Sequence, residues 1–496
     1  MKNNTENFGF KRKSGILMPV ISLPSAYGIG SFGKSAYEFI DFLSECGQKC
    51  WQVLPLNPTS YGDSPYQSPS SKAGNPYFID LDILKEEGLL TLDELKEVKV
   101  DHKKVDYGWL FYSRYSILRR AYGRFEPDAK YNAFCRKNAH WLEDHSLFMA
   151  LKVKHNYTPW TEWGEEYRNV KLARASCREH KEEMNFQKWV QYEFFKQWKA
   201  IRDYAKSKKI VIIGDTPIYV AHDSVDVWAS PEQFLLDEKY MPTLVAGCPP
   251  DAYAEDGQLW GNPIYDWDKM KEDGFSWWID RVSSAFEMYD ILRIDHFRGF
   301  ASFFAIPYGD KNARGGSWKE APGIELFNAI KAALPKSKII AEDLGFITDD
   351  VRELLAETGF PGMKVLQFAF YNDNSEYLPK TYTTDNCVVY SGSHDADCTK
   401  SWYGQLSEDA LKRFKKECPR AKGQSATEAT IALAMKSRAN LCVIPMQDYL
   451  ELTNSEGRMN TPSTATGNWS WRVSSRYATE KLKNKIRTLT EEGKRV

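Results

Sequence analysis

Two carboxylates, Asp295 and Glu342, each follow a short apolar run (ILRI and KIIA), with a helical stretch between them. A pair like this at the ends of adjacent parallel strands can cleave a glycosidic bond with retention. One ionised carboxylate attacks the anomeric carbon and one protonated carboxyl assists the leaving oxygen, roughly 5 to 5.5 Å away. Taken singly, an Asp after a strand is more often a helix cap or a salt-bridge partner. The neighbours shift the balance towards chemistry. Arg293 lies two residues before Asp295, so strand alternation turns both side chains to one face. There a guanidinium would hold Asp295 ionised by charge and donated hydrogen bonds. His296 and Arg298 add donors near the same point. A third carboxylate, Asp395, stands beside His394 in SGSHDAD and suits the gripping of sugar hydroxyls as the ring distorts towards an oxocarbenium ion. A metal site or a phosphohydrolase-type dyad is the alternative for this His-Asp pair. The other histidines lie in unrelated contexts and no CxxC or HExxH is present, so no metal is expected.

These groups need a scaffold that brings strand ends together. Short apolar runs alternate with amphipathic stretches, the pattern of parallel strands linked by helices. Eight runs are candidates: Cys50 to Leu56, Tyr77 to Leu81, Ile210 to Ile213, Ile291 to Ile294, Ile339 and Ile340, Val365 to Phe370, Val388 to Tyr390, and Leu441 to Ile444. Several end in polar segments (GDTPIYV, DHFRGF, AEDLG, SGSHDAD), and a parallel barrel delivers all such ends to one rim. An open doubly wound sheet would more often show a glycine-rich phosphate turn after its first strand, and none is seen. The fold class expected is α/β, a (β/α)8 TIM barrel with large helical and loop insertions. It spans residues 1–496 as a single catalytic unit without a separate C-terminal β-sandwich domain. Residues 82–205 read as a mainly helical insertion, and residues 230–268, dense in Pro, Gly and Trp, as a loop insertion over the rim.

Composition narrows the substrate class. With 66 Lys+Arg against 67 Asp+Glu, the formal charge of -1 removes the usual electrostatic argument for a nucleic-acid partner. A neutral substrate fits better, and the 14% aromatic content suits sugar rings, although most aromatics belong to the core. Nine scattered cysteines read as reduced thiols. The N-terminus lacks the apolar stretch of a signal peptide, and no apolar run of about 18 residues suggests a membrane span, so a cytoplasmic location is expected.

GDTPIYV, LRIDHFRGF, AEDLG and YSGSHD, together with YGDSPYQS near the start and RMNTP followed by GNWSWR near the end, resemble the 4-α-glucanotransferases. These are also called amylomaltases or disproportionating enzymes, relatives of the α-amylase clan. The matching motifs span about Ser14 to Arg472. The resemblance implies that Asp295, flanked by Arg293 and His296, is the nucleophile, Glu342 the acid/base, and Asp395, preceded by His394, the transition-state carboxylate. It further implies that Asp215 supports the donor sugar and that Tyr61 stacks on glucan. By the same resemblance the loop GCPPDAYAEDGQLWGNP is expected to cover acceptor subsites, with Asp251, Gln258, Trp260 and Asn262 as sugar contacts. Around Asp395 the chain departs from the family's usual THDNDT at Ser393, Ala396 and Cys398. The partners implied are α-1,4-glucans and maltooligosaccharides, with no cofactor, nucleic acid or membrane.

The expected reaction is transfer of glucan segments by double displacement. A hydrolase using the same carboxylates is the nearest alternative, since water could complete the second step. The other is a non-catalytic glucan-binding protein on a retired barrel, which would be expected to lack a catalytic carboxylate, whereas all three are present.

Overall fold

The computed structural model describes residues 12–250, 255–345, 347–464 and 466–496, with Tyr61 described by its backbone alone. Its strands in chain order are β1 (Lys13–Leu17), β2 (Cys50–Gln52), β3 (Val211–Thr216), β4 (Leu244–Cys248), β5 (Gln258–Pro263), β6 (Ile291–Ile294), β7 (Ser302–Pro307), β8 (Ser317–Glu320), β9 (Ile339–Ala341), β10 (Gly362–Val365), β11 (Cys387–Tyr390) and β12 (Leu441–Pro445). Eight pair in parallel in the order β10-β11-β12-β1-β2-β3-β6-β9. The Ala341 N–H donates to the Pro361 carbonyl at 3.0 Å, linking β9 to the entry of β10 and closing the ring. The result is the expected TIM barrel.

Alternation along the strands sorts the side chains. Trp51 on β2 points outward, its ring 5.1 Å from Phe39 and its indole N–H donating to the Met18 carbonyl. Asp215 on β3 and Arg293 on β6 are register partners and turn into the barrel.

Between β2 and β3 the chain is helical: Leu81–Glu86, Leu92–Glu97, Tyr107–Tyr122, Ala129–Lys154 and Lys181–Ser207 are its main segments. Side chains of Asp80, Thr91, Asp106 and Asp128 cap the first four, satisfying N–H groups that a helix start leaves unpaired. The last helix returns to the barrel through two buried amides. Gln191 exchanges hydrogen bonds with the Gly74 backbone, and the Asp80 N–H donates to Gln197.

Three expectations need correction. Tyr77 to Leu81 is not a strand. The Asn75 side chain accepts from the Tyr77 N–H, Pro76 starts a single turn (Pro76–Phe78), and Asp80 caps the following helix, so local capping overrides β propensity. The remaining barrel strand is β1, whose Gly15 lets β2 approach: a Cβ there would lie 2.6 Å from that of Cys50. The run from Val365 to Phe370 turns helical after its first residue, and the strand precedes it as β10. Residues 230–268 contain β4 and β5, which join β7 and β8 in an antiparallel sheet ordered β5-β4-β7-β8. On one face of that sheet Val245, Phe304 and Ile306 form a small core of their own with Ala313.

Gly214, just before Asp215, leaves no room for a side chain, since a Cβ would sit 2.1 Å from the Tyr289 ring. The Tyr289 hydroxyl in turn accepts from the Leu56 N–H at 3.1 Å. We expect Gly214→Ala to destabilise the fold by about 1–3 kcal/mol through overpacking. Urea denaturation should show a lowered midpoint, and an unchanged midpoint would contradict this packing.

Candidate active site

Arg293 is the hub of the rim. Its side chain is buried, and Nη1 donates to both oxygens of fully buried Asp215, at 2.7 and 2.6 Å. Nη2 lies 2.8 Å from Oδ1 of Asp295, and Nε donates to the Met363 sulfur at 3.4 Å. Burial alone lowers an arginine's affinity for its proton, but Asp215 and Asp295 more than reverse this and hold the guanidinium charged. Burial pushes the Asp215 carboxyl up against the pull of Arg293. The two guanidinium contacts and a 2.8 Å hydrogen bond donated by the Tyr66 hydroxyl make its carboxylate the form that fits this setting. The Asp295 side chain keeps 28% exposure, open to the cleft.

Glu342 follows β9, the strand paired with β6. The barrel ladder continues past both strands: the Asp295 N–H donates to Thr216, the Glu342 N–H to Ile294, and the Phe297 N–H to the Glu342 carbonyl. Between Asp295 and Phe297 the backbone of His296 adopts a left-handed conformation (φ 50°, ψ 48°). This conformation costs a non-glycine residue about 1–3 kcal/mol. It aims the His296 N–H at Oε2 of Glu342, 2.7 Å away, while the Leu344 N–H reaches Oε1 at 2.8 Å. Both bonds favour the carboxylate. Burial and the charge of Asp295 act more strongly the other way and push Glu342 up to about 7. Neighbouring strands thus present one carboxylate paired with arginine and one carboxyl able to keep its proton near neutrality. Burial also lowers the His296 imidazole to about 4, against the pull of Asp295, so it is neutral at physiological pH.

Asp395 stands across the cleft after β11. Burial pushes its carboxyl up, but the His394 ring, with Nε2 3.1 Å from Oδ2, and the Asn460 amide, donating to Oδ1 at 2.6 Å, bring it down to about 2. His394 is raised in turn, Asp395 overcoming the effect of its burial. The Tyr66 hydroxyl joins the two sides of the site, 2.8 Å from His394 Nε2 and 2.8 Å from Asp215 Oδ2. Below this loop, buried Asp448 accepts from Ser391 and from both the N–H and the hydroxyl of Thr399.

The antiparallel sheet roofs one side. Trp260 on β5 meets the His296 ring edge-on at 4.8 Å, and its indole N–H donates to Gln258 at 3.0 Å. Asn262 is turned inward, donating to the Val220 carbonyl and exchanging amide hydrogen bonds with Gln67. Asp251 and the side chain of Tyr61 lie outside the described residues. Arg298, expected among the donors beside Asp295, instead lies over the Trp318 ring at 4.0 Å. Tyr66 and Asn460 are contributors that sequence reasoning does not single out. Both fall inside the motifs YGDSPYQS and RMNTP, but spacing alone does not show which residue of each turns towards the cleft.

Removing one partner of a buried ion pair strands the other's charge, at a cost of about 3–5 kcal/mol. Arg293→Met should destabilise the protein by that order, and adding Asp215→Asn should recover part of the loss. A urea-denaturation double-mutant cycle reads the coupling, and strict additivity would refute it.

A family model described as 4-alpha-glucanotransferase matches residues 18–478. Curated relatives carrying that same description include one from Clostridium butyricum, 48% identical over 487 residues and covering 95% of this chain and 99% of its own. Another, from Streptococcus pneumoniae, is 45% identical over 495 residues, covering 98% of each chain. The solved structure of amylomaltase from Streptococcus agalactiae in complex with acarbose superposes with a TM-score of 0.95 at 40% identity, covering 98% of this chain and all of that one. Matched along nearly its whole length by sequence and by shape, this chain belongs to the 4-alpha-glucanotransferase family.

Proposed function

We propose that the cleft transfers segments of α-1,4-glucan to another glucan or to glucose by retaining double displacement. The observation that carries this reading is the split between two carboxyl groups on paired strands: Asp295 faces a guanidinium at 2.8 Å, while Glu342 is pushed up to about 7. A retaining reaction needs that division. Glu342 gives its proton to the departing glycosidic oxygen as Asp295 attacks the anomeric carbon, breaking the C–O bond and forming a β-glucosyl ester. Glu342, now a carboxylate, takes the proton from an acceptor hydroxyl, which displaces Asp295 and restores the α configuration. Asp395, held down at about 2, grips hydroxyls of the sugar as it flattens, with His394 beside it. Arg293 and Asp215 keep Asp295 poised. Trp260, Gln258 and Asn262 line the path of the glucan, and the family resemblance assigns sugar-contact roles to Asp251 and Tyr61 as well. Residues 1–496 act as a single catalytic unit in which 82–205 is an inserted helical subdomain and 230–268 covers the rim. No cofactor enters the scheme.

The structural relative bound to acarbose supports an α-glucan as the substrate class. A cytoplasmic setting, with glycogen or starch turnover as its context, accords with the buried thiols of Cys46, Cys50, Cys387, Cys398, Cys418 and Cys442.

Incubation with maltotriose decides between transfer and hydrolysis. We expect a ladder of longer maltooligosaccharides together with glucose, and none from Asp295→Asn, which should still bind glucan. Shortened products alone would sink the transfer reading. The pH profile tests the acid: Glu342 must be protonated in the free enzyme, so kcat/KM should level off just below about pH 7 and fall about tenfold per unit above it. A profile that is flat to pH 9 would remove Glu342 from this role.

A further inference from the structure

Trp318 sits on β8, a strand exposed along its whole length, and is itself 42% exposed. An indole in that position has to be held. Phe304 meets it edge-on at 5.3 Å, and the Arg298 guanidinium covers one face at 4.0 Å from the ring centre. The stack fixes the ring's orientation. Arg298 belongs to the turn Phe297–Phe300, which directly follows His296, the residue whose N–H holds Glu342. The platform is therefore tied by a few residues of chain to the candidate acid/base. It also shares a sheet with Trp260, with β5 at one edge beside His296 and β8 at the other.

Position assigns the side of the cleft. In the proposed mechanism Asp395, His394 and Tyr66 surround the sugar that becomes attached to Asp295. Glu342 handles the oxygen that leaves and the hydroxyl that replaces it, so the leaving and accepting glucan lies on the Glu342 side. Trp260 meets His296 on that side, and Arg298, two residues further along, reaches Trp318 at the far edge of the same sheet. Sugar rings present apolar C–H faces that stack well on a rigid indole. We propose that Trp318 is a distal acceptor subsite, a stacking platform for a glucose unit of the incoming α-1,4-glucan some way from the reacting end. Its consequence is a preference for oligosaccharide acceptors over glucose. This proposal rests on the glucan-transfer reading.

The test uses full-length protein with α-maltosyl fluoride as donor, varying glucose or maltotetraose as acceptor. Wild-type transfer to glucose checks the transfer reading itself, and its absence would count against that reading. For Trp318→Ala we expect KM for maltotetraose to rise about three- to tenfold, the usual scale of an aromatic contact. KM for glucose and kcat should stay unchanged, which also shows that the variant folds, and Trp318→Phe should restore most of the maltotetraose affinity. Equal changes with both acceptors, or none with either, would overturn the subsite.

Discussion

A guanidinium carries five N–H groups in a rigid fork and cannot shed its charge to suit a dry interior. Arg293 meets both demands at once, with Asp215 below, Asp295 towards the cleft and the Met363 sulfur beside Nε. Much else follows from that arrangement. Asp215 is fully buried, and its oxygens are committed to Arg293 and Tyr66. β3 must run close to Tyr289 to deliver Asp215 at the right depth, hence Gly214. The charge of Asp295, which meets the same fork, is part of what pushes Glu342 up.

The turn at His296 solves a second problem. A glutamate placed in a dry site beside another anion would tend to lose its orientation along with its charge. Backbone N–H groups from His296 and Leu344 hold each oxygen whichever form Glu342 takes. In the proposed mechanism the acid later acts as a base, so its position must not depend on its proton. The left-handed backbone at His296 is the local strain that makes this geometry reachable. Asp395 follows the opposite design, since His394 and Asn460 engage its two oxygens and keep it an anion.

Sequence reading reached the parts of this arrangement that repeat at fixed intervals. Arg293 and Asp295 share a strand face, so alternation places them together, and Glu342 follows from the next strand of the barrel. It failed where a short-range feature outweighed the pattern. β1, KSGIL, has too few large apolar residues to stand out, and it is a strand because Gly15 admits β2. The segment around Tyr77 has the composition of a strand but is turned by Asn75 and Asp80. The roof sheet hid because its strands contain glycines, prolines and exposed positions, which look like loop until the partners β7 and β8 are known. Arg298 shows the remaining limit: sequence placed it correctly beside the site but could not show that its side chain turns to Trp318.

In the barrel β1 pairs with β12, Lys13 alongside Leu441 and Leu17 alongside Pro445. The ring therefore cannot close until more than four hundred residues separate the ends of a single ladder, and that pairing brings a loop-closure entropy that no local contact offsets in advance. During synthesis the strands bearing Asp215, Asp295 and Glu342 leave the ribosome before their sheet has both edges covered. For that interval β1 is an open edge able to pair with another chain. Assembly of the active cleft is in this sense a late event, timed by β12, the last strand to be made.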